Sequence, residues 1–191
     1  SRITFEAFPS TFSNSKREAI HVGNPIRKDI DSIVLSEVMD DSKFQILVLG
    51  GSQGSQQIND ILSSALENKI VPSKWSFVHQ TGRLDCKKLI EVYEKTGVEF
   101  EMKEYIKDMS KEYRNCDIVI SRSGAMTVSE ICSSAKPSIL LPLPWSADNH
   151  QYNNASYLAE KGAAVIIGSS VSNSDKLFEL LIDLEKNHNK R

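Results

Sequence analysis

Residues 44–50 read FQILVLG, and residues 51–69 continue as GSQGSQQINDILSSALENK. The first stretch is a continuous apolar run, which is typical of a strand that is buried on both faces of a sheet. The second carries apolar residues at helical spacing from Ile58 to Ala65, and this spacing predicts an amphipathic helix. The two stretches therefore predict a β-α unit whose strand and helix are joined by a glycine-rich turn.

The same alternation of strand-like and helix-like runs continues to the end of the chain. Further strand-like runs, each followed by a helical pattern, are WSFVHQ (75–80), VEFEMKEY (98–105), DIVIS (117–121), PSILLPL (137–143) and AAVIIG (163–168). Six β-α units with short connections predict an α/β fold with a Rossmann-like, doubly wound parallel sheet. The first 43 residues contain Pro9 and Pro25 and predict a strand followed by a connecting segment, with the main boundary near Val22.

Composition argues against several classes of protein. The chain has 191 residues, of which 40% are hydrophobic and 25% charged, and its net charge is -2, so it lacks the basic excess of a nucleic-acid-binding protein. Its longest apolar runs are strand-sized and its first residues do not resemble a signal peptide, so we expect neither a membrane span nor export. Cys86, Cys116 and Cys132 are scattered and odd in number, which favours reduced thiols in cytosol.

The loops that follow the strands carry the polar side chains. In open α/β sheets ligands bind beyond the carboxyl ends of the strands, so these loops are the first place to look for a site. They are GGSQGS (50–55), HQTG (79–82), YIKDM (105–109), SRSGAMT (121–127) and LPWSADNHQ (143–151). Glycine, serine, amide and histidine side chains recur on this edge, and they predict a polar ligand.

The GGSQGS loop suits an anion. Its glycines allow a close approach of the backbone, and its amides can face a phosphate at the start of the following helix. The spacing matches neither a nucleoside-triphosphate loop nor the Gly-x-Gly-x-x-Gly pattern of dinucleotide sites, so triphosphate and NAD ligands are disfavoured. A tight strand-to-helix turn without any ligand is the alternative.

The stretch SRSGAMTVSE (121–130) predicts a tight turn at Gly124 and then a helix. The buried face of this helix is expected to hold Val128, Ile131, Cys132 and Ala135. Its other face is expected to hold Thr127, Glu130 and Ser134. A carboxylate at Glu130 can accept hydrogen bonds from a sugar diol, while Arg122 and the helix N-terminus meet a phosphate. The alternative is that Glu130 is a solvated surface residue.

Histidine and aspartate residues give no metal motif. His79 and His150 fall in the ligand-side loops, and no two histidines have the helical spacing of a metal pair. We expect His79 to be structural or to line the substrate rather than to act as a base. Asp29 and Asp31 form an Asp-x-Asp pair in the connecting segment, where one of them is expected to cap a helix. We therefore expect no metal and no cofactor.

Several of these motifs, in order and spacing, resemble the MurG glycosyltransferases: GNPIR (23–27), LGGSQGS (49–55), HQTG (79–82), SRSGAMTVSE (121–130) and PLPWSADNHQYNNA (142–155). The resemblance runs from about Ala7 to Gly168. It implies inverting transfer of N-acetylglucosamine from UDP-N-acetylglucosamine to the C4 hydroxyl of lipid I, which gives lipid II in peptidoglycan synthesis. It also implies a two-domain GT-B architecture, of which this chain supplies the C-terminal, donor-binding half.

The resemblance further implies a division of the protein. Residues 1–22 are expected to be the tail of an acceptor domain and linker, and residues 23–191 the UDP-sugar domain. The acceptor domain and a final C-terminal helix are expected to lie outside this chain. Because the family's proposed base belongs to the acceptor domain, we expect the isolated chain to be inactive. The full enzyme is expected at the cytoplasmic face of the bacterial cell membrane as a peripheral protein.

Site residues follow from the resemblance by position. Glu130 is expected to bind the ribose hydroxyls, and Ile106 to meet uracil through its backbone. Ser52 and the glycine loop are expected at the diphosphate, with Arg122 and Arg27 as cationic neighbours, and Gln151 at the sugar. The remaining members of the expected substrate-binding set are Gly51, Gln53, Gly54, His79, Ser123, Gly124, Thr127 and His150.

One departure and three alternatives remain. His150 stands where the family usually has a glutamine next to Gln151, and an imidazole has fewer hydrogen-bonding sites than an amide. The alternatives are a non-catalytic donor-binding subunit with a separate membrane partner, a UDP-N-acetylglucosamine 2-epimerase-like enzyme, and a dinucleotide-dependent enzyme. An epimerase needs catalytic carboxylates near the sugar, and the HQTG and NHQ segments contain no acidic pair.

Overall fold

The computed structural model describes residues 3–9, 18–33, 42–144 and 149–187. The strands are β1 (Thr4–Glu6), β2 (Ala19–His21), β3 (Phe44–Leu49), β4 (Trp75–Gln80), β5 (Glu99–Lys103), β6 (Ile118–Ser121), β7 (Ser138–Leu140) and β8 (Ala164–Ile166). The helices are α1 (Lys28–Asp31), α2 (Gln56–Leu66), α3 (Lys87–Thr96), α4 (Met109–Asn115), α5 (Ala125–Ser133), α6 (His150–Ala159) and α7 (Ser174–Lys186), with a 3-10 turn at Val171–Asn173 before α7. Part of the LPWSADNHQ loop, residues 145–148, lies outside the described residues.

Six strands form one parallel sheet in the order β5-β4-β3-β6-β7-β8. This confirms the doubly wound parallel sheet predicted from the β-α rhythm. The chain moves outward from β3 to β5 in one direction and from β6 to β8 in the other, so the direction reverses between β3 and β6. In folds of this kind such a switch point opens a crevice at the carboxyl ends of the two strands.

Helices cover both faces of the sheet because the strand residues alternate between two cores. Ile46 and Val48 of β3 face a cluster with α2, α3 and α7, which includes the fully buried Trp75. Leu47 and Leu49 face a second cluster, which is built mainly from α4, α5 and α6. The continuous apolar run of β3 is the sequence signature of this two-sided burial.

The connecting segment, residues 22–33, lies along α5. Asn24 Nδ2 donates to Ser129 Oγ at 2.9 Å, and Ser133 Oγ donates to Asp31 Oδ1 at 2.9 Å. Ile30 is fully buried in the second cluster and anchors the segment. The prediction that Asp29 or Asp31 caps a helix is wrong: both lie inside α1, whose N-terminal flanking residue makes no side-chain cap.

A two-stranded parallel ribbon, β1 and β2, precedes this segment, and Phe5 pairs with Ile20. The sequence predicted β1 but not β2, because Ala19–His21 has little strand signal by itself. Four apolar side chains lie on one face of the ribbon, and they are 48% to 66% exposed: Ile3, Phe5, Ile20 and Val22. The other face carries smaller or polar side chains such as Thr4 and Glu6.

Candidate functional site

The glycine loop after β3 is held against the loop after β4. Gly51 and Gly54 have φ angles of 79° and 77°, and the N–H of Gly54 donates to the Gly51 carbonyl at 3.0 Å. A Cβ on Gly54 would lie 2.1 Å from the Thr81 carbonyl oxygen, whereas a Cβ on Gly51 would meet none of the described residues within 4 Å. Of these two left-handed glycines, Gly54 is therefore packed and Gly51 is open, beside the exposed Ser52 and Gln53.

The loop after β6 brings polar atoms to the start of α5. Gly124 precedes the helix without a side-chain cap, so the first amides of α5 are not used by a capping side chain. Within the described residues, nothing hydrogen-bonds the buried atoms Ser121 Oγ, Arg122 Nε or Ser123 Oγ. Burial lowers the pKa of the Arg122 guanidinium, which stays cationic at neutral pH. A cation, hydroxyls and open amides at a helix start suit an anion.

Asn154 fixes this loop from the next helix. Its Nδ2 donates to the Ser123 carbonyl at 3.1 Å, and the side chain is buried between the loop and α6. Sequence reasoning missed Asn154 because an asparagine inside a helical pattern has no distinctive spacing. It is a supporting contact, since it sets the position of the Ser123–Gly124 backbone.

Glu130 lies one to two turns into α5 and is only 16% exposed in its side chain. Its Oε1 lies 3.8 Å from Arg27 Nη2, and Tyr113 Oη donates to its Oε2 at 3.3 Å. Burial raises the pKa of the carboxyl group, Arg27 and Tyr113 lower it, and Asp29 raises it. The alternative of a solvated surface glutamate is therefore wrong. Arg27 lies beside this carboxylate, and its expected place at the diphosphate stays a prediction.

The faces of α5 differ in part from the predicted ones. Val128 and Ile131 are buried as expected, but Cys132 and Ala135 are exposed and Ser134 is buried. The helix ends at Ser133, and the chain beyond it no longer follows helical periodicity. The connecting segment covers the Ser129 side of the helix, which moves the buried face away from Cys132.

Ile106 lies in the loop after β5. The residue as a whole is 2% exposed, and its side chain belongs to the second core cluster. Asp108 Oδ1 accepts the N–H of Lys111 at 3.0 Å and caps α4, and Lys103 Nζ lies 2.8 Å from Glu112 Oε1. The loop is thus fixed at both ends, and contact between its backbone and a base stays a prediction.

The structure places His79 in β4 and not in a loop, and its side chain is fully buried. Its Nδ1 lies 3.2 Å from Tyr93 Oη, and burial lowers its pKa to about 3. The prediction that His79 lines the substrate is wrong, because no part of the ring reaches the surface. The structural alternative is confirmed: the alternation of side chains along β4 directs the His79 ring into the core under α3.

His150 and Gln151 begin α6. Asn149, which precedes the helix, has a left-handed φ of 53°, and this turn sets the direction of α6. Gln151 Oε1 accepts the N–H of Leu143 at 3.0 Å, which orients the amide at the end of the β7 loop. His150 is exposed. Their contact with a sugar stays a prediction.

A cavity of about 830 Å³ lies at the opposite edge of the sheet. It is lined by the ends of α5, α6 and α7 and by the start of β8, including Cys132, Lys161 and Leu184. None of the expected site residues lines it. We place the site at the carboxyl edge, where the switch point, the buried polar atoms and Glu130 coincide.

No group of three or more His, Cys, Asp or Glu side chains in the described ranges could hold a metal ion. No helix within those ranges is both long and apolar enough to cross a bilayer.

Comparisons with known proteins identify the family of this domain. The model of the glycosyltransferase family 28 C-terminal domain matches residues 45–191. A curated relative from Ectopseudomonas mendocina is 39% identical over 95% of this chain and 52% of its own length. One from Azotobacter vinelandii is 36% identical over 90% of this chain and 48% of its own length. Both are named UDP-N-acetylglucosamine--N-acetylmuramyl-(pentapeptide) pyrophosphoryl-undecaprenol N-acetylglucosamine transferase.

A solved structure of MurG from Acinetobacter baumannii aligns with 100% of this chain and 54% of its own, with a TM-score of 0.81 and 28% identity. The chain thus spans about half the length of the curated relatives it matches. The matched family model covers all six strands of the main sheet except the first residue of β3. The chain belongs to glycosyltransferase family 28, of which it carries the C-terminal domain.

Proposed function

We propose that this chain is the donor-binding half of a hexosyltransferase that moves N-acetylglucosamine from UDP-N-acetylglucosamine to lipid I. The observation that carries the proposal is the pairing of two features on α5. At its start lie the buried Nε of the partly exposed Arg122 and two buried serine hydroxyls, none of which has a partner in the described part of the chain. The carboxylate of Glu130, held by Arg27 and Tyr113, lies further along the helix. A nucleoside diphosphate has a ribose diol, which suits a carboxylate, and two phosphates, which suit a cation and open amides at a helix start. The names of the relatives support the same assignment.

Each part of the donor has a place in this arrangement. Glu130 accepts hydrogen bonds from the ribose diol, and the backbone near Ile106 reads uracil. The glycine loop, with Ser52, and the start of α5 take the diphosphate. Arg122 supplies positive charge there, and Gln151 contacts the sugar. These contacts place the anomeric carbon at the carboxyl edge of the sheet.

The reaction in the proposal is a direct displacement with inversion. The C4 hydroxyl of the acceptor attacks the anomeric carbon, the bond to the diphosphate breaks, and UDP leaves with the electron pair. The amides at the start of α5 and Arg122 stabilise the charge that develops on the diphosphate, because preorganised donors lose little energy in reorganising. The proton of the C4 hydroxyl goes to a base outside this chain. No metal is required by this scheme.

The exposed apolar face of the β1–β2 ribbon is a candidate docking surface for the acceptor domain. Parallel strands are usually covered on both faces, yet the ribbon of β1 and β2 exposes Ile3, Phe5, Ile20 and Val22 on one face. We infer that residues 1–22 belong with an acceptor domain that covers this face, and that residues 23–191 form the donor domain. The acceptor domain would bind lipid I, and it would also make the enzyme's peripheral contact with the cytoplasmic face of the membrane.

The alternative of a donor-binding subunit with a separate membrane partner differs from the single-chain enzyme in the gene. Sequencing the DNA before the codon for Ser1 separates the two. An in-frame acceptor domain supports the single-chain enzyme, and a stop codon directly before this segment supports the separate subunit. The 2-epimerase alternative is not favoured, because the curated relatives are named transferases.

Calorimetric titration tests the donor site. We expect UDP and UDP-N-acetylglucosamine to bind, UTP to bind more weakly than either, and NAD not to bind. A chelator should leave UDP binding unchanged. Glu130→Ala should weaken UDP binding by roughly 10-fold to 100-fold, the range for a hydrogen bond to a charged group. Because burial raises the pKa of Glu130, binding should also weaken as pH falls through that pKa.

Glu91→Ala is the matched control, since Glu91 is an exposed glutamate of α3. It should leave UDP affinity unchanged. Equal binding of UDP by the wild type and Glu130→Ala would contradict the ribose assignment. NAD binding as tight as UDP binding would contradict the proposed donor, and complete loss of binding on chelation would overturn the metal-free scheme.

A further inference from the structure

The two oxygens of Glu130 are held from different parts of the fold. Tyr113 of α4 donates to Oε2 at 3.3 Å, and Arg27 of the connecting segment lies 3.8 Å from Oε1. Arg27 is half exposed and long, so its position depends on solvent and on ligand charge. Tyr113 is fully buried and its ring packs in the second core cluster. Of the two contacts, the tyrosine is the rigid one.

Tyr113 can only donate to this carboxylate. Burial, and then the charge of Glu130, raise the pKa of the phenol well above its usual range, so the hydroxyl keeps its proton at all working pH values. A hydrogen bond from a neutral hydroxyl to a carboxylate is charge-assisted and fixes the side-chain torsions of the acceptor. One oxygen of Glu130 is thereby oriented, and its remaining lone pairs keep a defined direction.

Helix α4 joins this contact to the loop after β5. The helix begins at Met109, shortly after Ile106, and Asp108 caps it. Tyr113 lies just over one turn into the same helix. Tyr113 therefore connects the Glu130 carboxylate to the helix that directly follows the Ile106 loop.

We propose that Tyr113 is a positioning residue for the donor site, which holds the Glu130 carboxylate in its ribose-binding orientation and ties it to the loop that carries Ile106. The inference rests on the proposed function of Glu130. It assigns to a core tyrosine a role beyond packing, and that role has a signature of its own in the protonation of Glu130.

Among the described residues, three groups that carry or can carry charge face Glu130: Tyr113 from α4, and Arg27 and Asp29 from the connecting segment. Tyr113 and Arg27 stabilise the ionised carboxylate, and Asp29 disfavours it. Removing the Tyr113 hydroxyl therefore raises the pKa of Glu130. Because the ribose diol is bound by the ionised form, the acid limb of UDP binding moves to higher pH.

The test is Tyr113→Phe, which keeps the ring and removes one oxygen. We expect UDP binding at pH 7.5 to weaken about 3-fold to 10-fold, less than for Glu130→Ala because no ligand contact is deleted. We also expect UDP affinity to fall off at a higher pH on the acid side than in the wild type. In the ligand-free chain, the NMR signal of the Glu130 carboxyl carbon should likewise titrate at a higher pH than in the wild type. Thermal unfolding of each variant shows that it is folded.

Tyr93→Phe is the matched control. Tyr93 is equally buried, but its hydroxyl contacts His79 in the other core cluster. It should change neither UDP affinity nor the titration of Glu130. Tyr113→Phe with wild-type UDP affinity and wild-type Glu130 titration would overturn the inference and leave the donor site intact. If the wild type does not bind UDP, the proposed function fails, and an unchanged Glu130 titration in Tyr113→Phe would reject the contact as well.

Discussion

Gly54→Ala is expected to lower the free energy of unfolding by about 2–5 kcal/mol and to abolish UDP binding. Gly54 has a φ of 77°, a conformation that costs an L-residue about 1–2 kcal/mol. The added Cβ would lie 2.1 Å from the Thr81 carbonyl oxygen, so the two loops must also separate. Gly82 also packs closely against Gly54, since a Cβ added to Gly82 would lie 2.2 Å from the Gly54 nitrogen. Neither backbone can give way without moving a strand end.

Gly51→Ala separates backbone strain from this clash. Gly51 has nearly the same φ, 79°, but a Cβ there meets none of the described residues within 4 Å. Its expected cost is only the conformational one of about 1–2 kcal/mol. Urea unfolding of both variants measures the difference. Equal stabilities of Gly51→Ala and Gly54→Ala would show that the loop after β4 moves aside without cost, which would contradict the close packing of Gly54 against Thr81.

Acid is expected to destabilise the protein through His79. The folded-state pKa of this histidine is about 3, against 6.5 for the unfolded chain, so protonation favours unfolding. Its contribution to stability is complete above pH 6.5 and is lost as pH falls toward 3. Linkage gives a loss of about 2 kcal/mol between pH 7 and pH 5, and about 5 kcal/mol once the pH is below the folded pKa.

His79→Gln tests this contribution, because glutamine keeps a polar group near Tyr93 and does not titrate. Its stability at pH 7 differs from the wild type for packing reasons, so the comparison concerns the slope between pH 7 and pH 5. We expect a slope shallower by about 2 kcal/mol over that interval. A His79→Gln slope equal to that of the wild type would contradict the buried, neutral histidine.

The main sheet could be predicted because its signals are local. The apolar run of β3 and the spacing from Ile58 to Ala65 each arise within one element, and their alternation along the chain specifies parallel β-α units. The β2 strand could not be predicted in this way. It has three residues, and its pairing with β1 across a separation of 15 positions supplies the order that its own composition lacks.

The candidate site was predicted in part. Glu130 follows from a carboxylate at a fixed distance after the Ser-Arg-Ser-Gly turn, and the structure gives it a partly buried position, held by Arg27 and Tyr113. His79 was misassigned because the predicted strand 75–80 and the predicted ligand-side segment 79–82 overlap at this residue. The sequence does not show that its ring faces the core. Tyr113 was missed because its periodicity is that of any buried residue of α4.

The sequence by itself determined the β-α alternation, the glycine turns and the position of Glu130 on α5, since helical and strand periodicity and the needs of left-handed backbone are properties of neighbouring residues. Only the tertiary structure decided which atoms hold Glu130, which glycine is packed and which is open, and that the ring of His79 enters the core. Those features depend on Arg27, Tyr113, Thr81 and Tyr93, which are distant in sequence and are brought into contact when the sheet closes on its two layers of helices.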